Sequence, residues 1–205
     1  MSKILVVPTT EIEKNLRVEG FIPYDESVFL RLLQHGEFRE REEMETDPQY
    51  KQLIPYVICF NGESIFIYQR SSKSDESRLR KKYSLGIGGH IDRDDQGQSI
   101  LHIVYRALMR EVGEELGLHT TVEQYTLLGF IHDNTDNVGR VHLGLVCQYP
   151  YLENIQFQGG ETDILLERKI LRVPEVQDLF TSLESWSQIV FHEVCRSHRA
   201  NLHES

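Results

Sequence analysis

Long hydrophobic runs and abundant cysteine are both missing from this sequence of 205 residues. No apolar stretch approaches the roughly 20 residues that a helix needs to span a bilayer, and Ile4 to Val7 is too short for the core of a signal peptide. The three cysteines, Cys59, Cys147 and Cys195, are odd in number, scattered and flanked by apolar residues. We expect buried, reduced thiols rather than disulfides or metal ligands. These absences predict a cytoplasmic protein without a membrane partner.

Basic charge is also scarce, because 22 Lys and Arg face 32 Asp and Glu, for a formal net charge of −10. This balance argues against a nucleic-acid partner, since non-specific binding to nucleic acid needs a basic surface. An anionic substrate would depend on metal ions and on local Lys or Arg for attraction. The hydrophobic content of 40% is ordinary for a globular protein. The length fits one domain with an extension.

The most informative run in the chain is Arg-Glu-Val-Gly-Glu-Glu-Leu-Gly-Leu, at residues 110–118. On a helix, Glu111, Glu114 and Glu115 would share one face, because residues three and four apart are neighbours there. Carboxylates at these spacings repel one another, which indicates a cation among them. Hard divalent cations such as Mg²⁺ take oxygen ligands of this kind. The three glutamates are therefore candidate metal ligands.

The residues before this run predict that it lies on a helix from about Ser99 to Leu116. Apolar residues recur there at helical spacing. Ser99 suits the N-cap, and Gly117 suits the C-terminal stop. The apolar stripe continues directly into the three glutamates, which simple solvation does not explain. The alternative is the solvated acidic end of an amphipathic helix.

The run resembles the second half of the Nudix box, Arg-Glu-U-x-Glu-Glu-x-Gly-U with U aliphatic, and every specified position fits. In the first half, Gly88-Gly89 is similar to the glycine turn of the box. The first glutamate of the family box has three possible counterparts in this chain. Counting forward from Gly89 gives Asp95, and counting back from Arg110 gives His102. Aligning the residues from Gly97 onward with the box gives Gln98. This loop is therefore lengthened. Its other polar residues, His90, Asp92 and Asp94, could substitute for the glutamate or be ordinary loop residues.

The resemblance implies an α/β fold, the Nudix-type α/β/α sandwich with a mixed sheet and a catalytic loop-helix-loop. It implies Mg²⁺ or Mn²⁺ as cofactor, held by Glu111, Glu114 and Glu115 and by the main-chain carbonyl of Gly89. Gly88 and Gly89 would lie against the substrate. Arg110 would orient one of the carboxylates, or else form a simple surface ion pair.

Several further residues are weaker candidates for the site. Members of the family take the general base from the box or from a later loop, and Glu161 in Gly-Gly-Glu-Thr-Asp is the best later candidate, followed by Asp163. A plain turn explains that loop as well. Arg70 is a candidate for substrate phosphates, together with the basic residues of the following loop, which could equally be solvated: Arg78, Arg80, Lys81 and Lys82. We interpret His132 and His142 as core or surface histidines rather than catalytic groups.

The remaining elements follow from periodicity and turn signals. Strands are predicted at 4–7, 53–60, 64–69, 83–87, 126–132, 141–148 and 164–173, and short helices at 11–16, 27–34 and 174–180. A C-terminal helix is predicted at 183–198, and 37–47 is predicted to be an edge strand or a loop. Asn61-Gly62 predicts a hairpin between two of these strands. The loop 71–82 is predicted to be polar and basic.

The resemblance, together with the three glutamates, implies a metal-dependent Nudix hydrolase in residues 51–205 that cleaves the diphosphate of a nucleoside diphosphate linked to another moiety. The markers of the ADP-ribose and dinucleoside polyphosphate branches are missing, and the chain resembles an uncharacterised, phosphoesterase-like branch. The alternative is a Nudix-fold nucleotide-binding or regulatory module that has lost catalysis. Residues 1–50 lie outside the shared core, and they either cover the substrate pocket or build a homodimer interface.

Overall fold

The computed structural model describes residues 2–70, 82–95, 97–155 and 165–204. It contains ten strands: β1 Lys3–Pro8, β2 Gly20–Pro23, β3 Glu37–Glu40, β4 Tyr50–Cys59, β5 Ser64–Arg70, β6 Tyr83–Ser84, β7 Gly86–Ile87, β8 Thr126–His132, β9 His142–Tyr149 and β10 Leu165–Arg172. The helices are α1 Thr9–Asn15, α2 Glu26–Gln34, α3 Arg41–Met44, α4 Ile100–Leu116, α5 Val173–Asp178 and α6 Ser185–Glu204. Short 3₁₀ turns connect several of them. The predicted α/β class, with a mixed sheet and helices, is confirmed.

The chain divides into two compact units. The first comprises Met1–Tyr56, Gly88–Arg110 and Leu127–Cys147, and the second comprises Val57–Ile87, Glu111–Thr126 and Gln148–Ser205. The first unit is built on a sheet with the strand order β2-β8-β9-β4-β1-β3. In β1, the four residues from Ile4 to Val7 are fully buried, and the strand lies between β4 and β3. Residues 1–50 thus provide three strands of this sheet.

The second unit contains a three-stranded sheet with the order β10-β5-β6, and β7 pairs there with the end of β4. The predicted turn at Asn61-Gly62 is present, with Gly62 at φ 99°. However, β4 and β5 belong to different sheets, and an isolated bridge between Phe60 and Ile65 joins them. The predicted hairpin is therefore wrong as a pair of laddered strands. A two-residue turn reverses the chain but does not choose the strand partner, and β5 pairs with β10.

One other prediction needs correction. Cys59 and Cys147 are buried, but Cys195 on α6 is partly exposed, although its neighbour Val194 is buried. Segment 37–47, predicted to be an edge strand or a loop, begins with the edge strand β3 and continues with the short helix α3, which was not predicted. Within the described residues, no helix combines the length and apolar composition that crossing a bilayer requires.

Candidate functional site

The predicted carboxylates lie on α4, whose two ends form as expected. At the start, the Ser99 hydroxyl accepts a hydrogen bond from the backbone N–H of His102 at 3.3 Å. At the end, Gly117 adopts a φ of 69°, and its N–H donates to the carbonyl of Gly113 at 2.9 Å. A left-handed residue at this place is the usual way to stop a helix, and glycine adopts it without strain. The caps therefore fix which residues share the face of the last turn.

Two of the three glutamates on that turn are buried. Glu111 and Glu115 retain 9% and 7% of their exposed surface, whereas Glu114 is exposed. Val112 and Leu116, on the adjoining face, are completely buried. Carboxylates are rarely buried without a charged or hydrogen-bonding group to compensate them. The burial of Glu111 and Glu115, one turn apart, therefore argues against the alternative of a solvated acidic helix end.

The donor chemistry of this pair fits a hard divalent cation. Among the described residues, no group of three or more His, Cys, Asp or Glu side chains is arranged to hold a metal ion. Mg²⁺ does not require such a cage, because it commonly binds one or two carboxylates, several waters and substrate phosphates. Glu111 and Glu115 could supply the two carboxylates.

Arg110, directly before the first glutamate, holds the preceding loop. Its Nε donates to Oδ1 of Asp95 at 2.7 Å, and its Nη2 donates to Oδ2 of the same carboxylate at 3.2 Å. Nη2 also donates to the main-chain carbonyl of His90 at 2.9 Å. Such a two-pronged guanidinium–carboxylate pair fixes both distance and orientation. Arg110 therefore ties α4 to the loop after the glycine turn. Its predicted role toward the three glutamates stays a prediction.

The same contacts bear on the three counterparts of the first box glutamate. Asp95 has a side chain only 4% exposed, and besides Arg110 it accepts the backbone N–H of Asp92 at 2.8 Å. Gln98 and His102 are exposed, and the ring of His102 contacts Ser99. Asp95 is the counterpart that the geometry supports. Its shorter side chain reaches Arg110 because the lengthened loop folds back on the helix.

The glycine turn follows β7 and requires glycine at Gly88. A Cβ at that position would lie 1.9 Å from the carbonyl oxygen of Pro55, far inside contact distance. Next to the turn, the buried Gln52 donates its amide to the carbonyl of Met44 at 3.1 Å, so its oxygen faces Nε2 of His90 at 2.8 Å. Burial lowers the pKa of His90 to about 3, so the ring is neutral and donates through Nε2. These contacts fix the residues on both sides of Gly89, which belongs to the first unit with Gly88.

His132 and His142, interpreted as core or surface histidines, are both buried. Nδ1 of His142 lies 2.7 Å from the carbonyl of Val138, and Nδ1 of His132 lies 3.3 Å from the carbonyl of Val18. Burial is also the largest cause lowering the pKa of His132. A main-chain carbonyl as partner fixes the ring without requiring a charge. Both contacts match a structural role.

Some predicted site residues fall outside the described part of the chain, namely Glu161, Asp163, Arg78, Arg80 and Lys81. Arg70 is the last residue of β5 and pairs with Leu165, and its side chain lies outside the part of the chain that the structure describes. Lys82, at the end of the basic loop, donates to the carbonyl of Leu183 at 3.3 Å.

The sequence analysis missed two charged residues that the structure places in buried surroundings. Lys51 on β4 is completely buried. Arg168 on β10 is half-buried, and its guanidinium experiences the negative charge of Glu115. A single charged residue at the start of an apolar strand is the one sequence signal for Lys51. No comparable signal marks Arg168, because its inward position depends on an irregularity in strand pairing.

Comparison with known proteins gives two relatives that span nearly the whole chain. Protein YmaB from Bacillus subtilis (strain 168) is 33% identical over 195 residues, which cover 91% of this chain and 94% of YmaB. The crystal structure of Tm1382, described as a candidate Nudix hydrolase, is 34% identical and superposes with a TM-score of 0.79. It covers 94% of this chain and 97% of Tm1382.

A more distant structure, a MutT Nudix hydrolase from Burkholderia pseudomallei, is 20% identical with a TM-score of 0.48. It covers 69% of this chain and 96% of that protein. No protein-family model matches the chain. The family assignment of the chain rests on Tm1382, which is more than 30% identical to it over nearly the full length of both chains.

Proposed function

Because this chain belongs to the Nudix hydrolase family, we propose that it hydrolyses the diphosphate bond of a nucleoside diphosphate linked to another moiety, with Mg²⁺ or Mn²⁺ as cofactor. The observation that carries the proposal is the pair of buried carboxylates, Glu111 and Glu115, one helical turn apart. Exposed Glu114 is the third candidate ligand. An oxygen-only donor set of this kind suits hard divalent cations such as Mg²⁺ and Mn²⁺.

A divalent ion held by Glu111 and Glu115 would offset the negative charge of the diphosphate and would lower the pKa of a bound water. The chain holds the reacting groups in place. Glu111 and Glu115 supply carboxylate oxygens from one rigid helix, and the carbonyl of Gly89 is the proposed main-chain ligand. The fixed spacing of the two glutamates on the helix limits the reorganisation needed when a substrate binds.

Arg110 has a positioning role in this scheme. Arg110 donates a hydrogen bond to the main-chain carbonyl of His90, next to the glycine turn. In the sequence it comes directly before Glu111. Its pair with Asp95 holds the loop after the glycine turn against α4 at the residue directly before Glu111. The proposed general base is Glu161, with Asp163 as the next candidate, and Gly88 and Arg70 are proposed to face the substrate.

The deciding experiment compares the natural chain with Glu115→Gln. A panel of nucleoside diphosphates linked to sugars, alcohols or a second nucleotide is incubated with Mg²⁺ or Mn²⁺, and products are identified by mass. We expect turnover that falls by roughly 100-fold or more in Glu115→Gln, because one ligand oxygen loses its charge. Glu153→Gln, the same chemical change at an exposed residue, is the matched control and should keep full activity. Reaction in ¹⁸O-labelled water identifies the attacked phosphorus.

The outcome that would end the proposal is turnover that does not respond to Glu115→Gln or to removal of the metal by a chelator. A second result favours the module that has lost catalysis. In that case a nucleotide would bind tightly without metal, and its affinity would persist when Glu111, Glu114 and Glu115 are all replaced by Gln.

A further inference from the structure

Strand β10 carries a bulge next to the sequence Glu167-Arg168. Leu166 lies opposite Gln69, but Lys169 lies opposite Ile67, so two residues of β10 face the single residue Tyr68. Glu167 has a φ of 45°, the one residue other than glycine with positive φ among those described. The left-handed conformation is strained for a residue that has a Cβ atom. A bulge of this type re-aims the side chains that follow it.

Contacts on the outer side of the strand hold the bulge in place. The hydroxyl of Tyr83 on β6 donates to Oε2 of Glu167 at 2.8 Å, and Nζ of Lys169 donates to the same oxygen at 3.1 Å. Nζ of Lys169 also lies 5.3 Å from the centre of the Tyr83 ring. Glu167 and Lys169 are exposed. The strained residue is thus fixed from outside by a three-membered polar cluster.

Arg168, the other residue of the bulge, has the opposite environment. It is half-buried, and its Nη2 is shielded from solvent, as is Oε2 of Glu115. Burial lowers the pKa of Arg168, and the negative charge of Glu115 opposes this effect. An arginine keeps its charge even so. A permanent cation is therefore placed beside a carboxylate that we propose as a metal ligand, and all these residues belong to the second unit.

A cation near Glu115 would locally attract a negatively charged substrate. The formal net charge is −10, so a diphosphate substrate is repelled overall and must be attracted locally. A guanidinium suits this task because its fork matches two oxygens of a phosphate. Resting on the function proposed above, we propose that Arg168, aimed by the bulge in β10, binds a phosphate of the substrate beside Glu115.

The test uses Arg168→Met, with Arg168→Lys as the conservative variant. For Arg168→Met we expect KM to rise at least about tenfold while kcat changes by less than about threefold, because a phosphate contact is lost. Arg168→Lys should recover part of the lost KM, since it restores the charge without the fork. Arg172→Met removes the same charge from an exposed residue of β10, and it should match the natural chain.

A second readout needs no substrate and no turnover. Mn²⁺ binding, followed by electron paramagnetic resonance, should become about two- to tenfold tighter in Arg168→Met, since a competing cation near Glu115 is removed. Arg168→Lys and Arg172→Met should bind Mn²⁺ as the natural chain does. A purely structural role for Arg168 would not tighten Mn²⁺ binding.

Several outcomes would overturn this inference. A fall in kcat with unchanged KM would make Arg168 a positioning group for Glu115 rather than a phosphate ligand. Mn²⁺ affinity equal in Arg168→Met and Arg172→Met would remove Arg168 from the neighbourhood of the metal ligands, whereas weaker binding in Arg168→Met would make Arg168 a group that positions Glu115. If the natural chain turns over no substrate in the panel, the proposed function fails, whereas the Mn²⁺ titration still tests the placement of Arg168.

Discussion

Lys51 illustrates how a single charged residue can organise a buried region. Its Nζ donates to Oδ1 of Asn134 at 2.8 Å, to the carbonyl of His142 at 3.3 Å and to the carbonyl of Gly139. An ammonium has three donors, and all three are used. These acceptors belong to β9 and to the turn after β8, so Lys51 fixes that turn from the neighbouring strand. Such burial is tolerated because every donor finds a partner.

Replacing Lys51 by Met should destabilise the protein by roughly 2–4 kcal/mol at pH 7, because the buried acceptors lose their donors. Burial lowers the pKa of Lys51 from 10.5 to about 8, against the opposing charges of Asp133, Glu19 and Glu13. Between these values the unfolded chain binds more protons at Lys51 than the folded chain does, so this residue makes stability rise with pH from about 8 to 10.5. Urea unfolding at pH 7 and 9.5 measures both effects.

Lys14→Met, at a largely exposed residue, is the control and should change neither quantity appreciably. The stability gap between the natural chain and Lys51→Met should widen at pH 9.5. A gap that narrows with rising pH would mean that the folded chain stabilises the protonated amine more than water does.

At the scale of elements, α4 combines local and long-range determinants. Its periodicity, its N-cap and its terminal glycine are all local, and the structure forms the helix where the pattern predicts it. By contrast, the bulge in β10 and the division of β4 and β5 between two sheets depend on which strands meet. Gly113 and Gly88 test the two kinds of determinant separately, the first for local helix geometry and the second for long-range packing.

Gly113, inside α4 between the glutamates, should accept alanine. Its added Cβ would lie 3.4 Å from the nearest atom, the carbonyl oxygen of Leu118, which is an ordinary contact. We expect Gly113→Ala to stabilise the protein by about 0.5–1 kcal/mol, because alanine favours a helix interior. Gly88→Ala should instead destabilise by several kcal/mol or prevent folding, since its Cβ would collide with the carbonyl of Pro55.

Thermal unfolding of the two variants gives the comparison directly. Equal losses of stability in both would show that Gly113 is needed for a reason other than helix geometry. A tolerated Gly88→Ala would mean that the glycine turn can move away from β4.

At the scale of the whole molecule, residues 1–50 are part of the structural framework of the first unit. They contribute β1, β2 and β3 to its sheet, and β1 pairs with β4 from Val6 opposite Gln52 to Pro8 opposite Tyr50. Removing β1 would expose the edge of β4, whose residues are almost all buried. The proposed roles in covering the pocket or forming a homodimer would then be additional to this one.

A chain that begins at residue 51 should therefore fail to fold cooperatively. We expect loss of the cooperative thermal transition and binding of a hydrophobic dye, because a buried edge strand becomes exposed. Removal of only the exposed Ser2 together with Met1 serves as control and should leave the transition intact. Cooperative unfolding of residues 51–205 alone would show that the first 50 residues are an appended element.

The sequence by itself determined the elements and residues whose causes are local. The helix of the glutamate run, its caps, the glycine turn and most strands depend on neighbours a few residues apart, which a sequence displays directly. The family resemblance also lies in one such run. Strand β2 and helix α3 escaped prediction because they are only four residues long, too short to establish a period.

Only the tertiary structure decided which distant groups meet. Arg110 reaches Asp95 across 15 residues, Lys51 reaches Gly139 across 88, and Tyr83 reaches Glu167 across 84. Periodicity carries no information about such partners, because they are chosen by strand order, register and the fit of buried polar groups. For the same reason, the run at 110–118 identified the carboxylates, whereas the fold decided that two are buried and placed Arg168 beside Glu115.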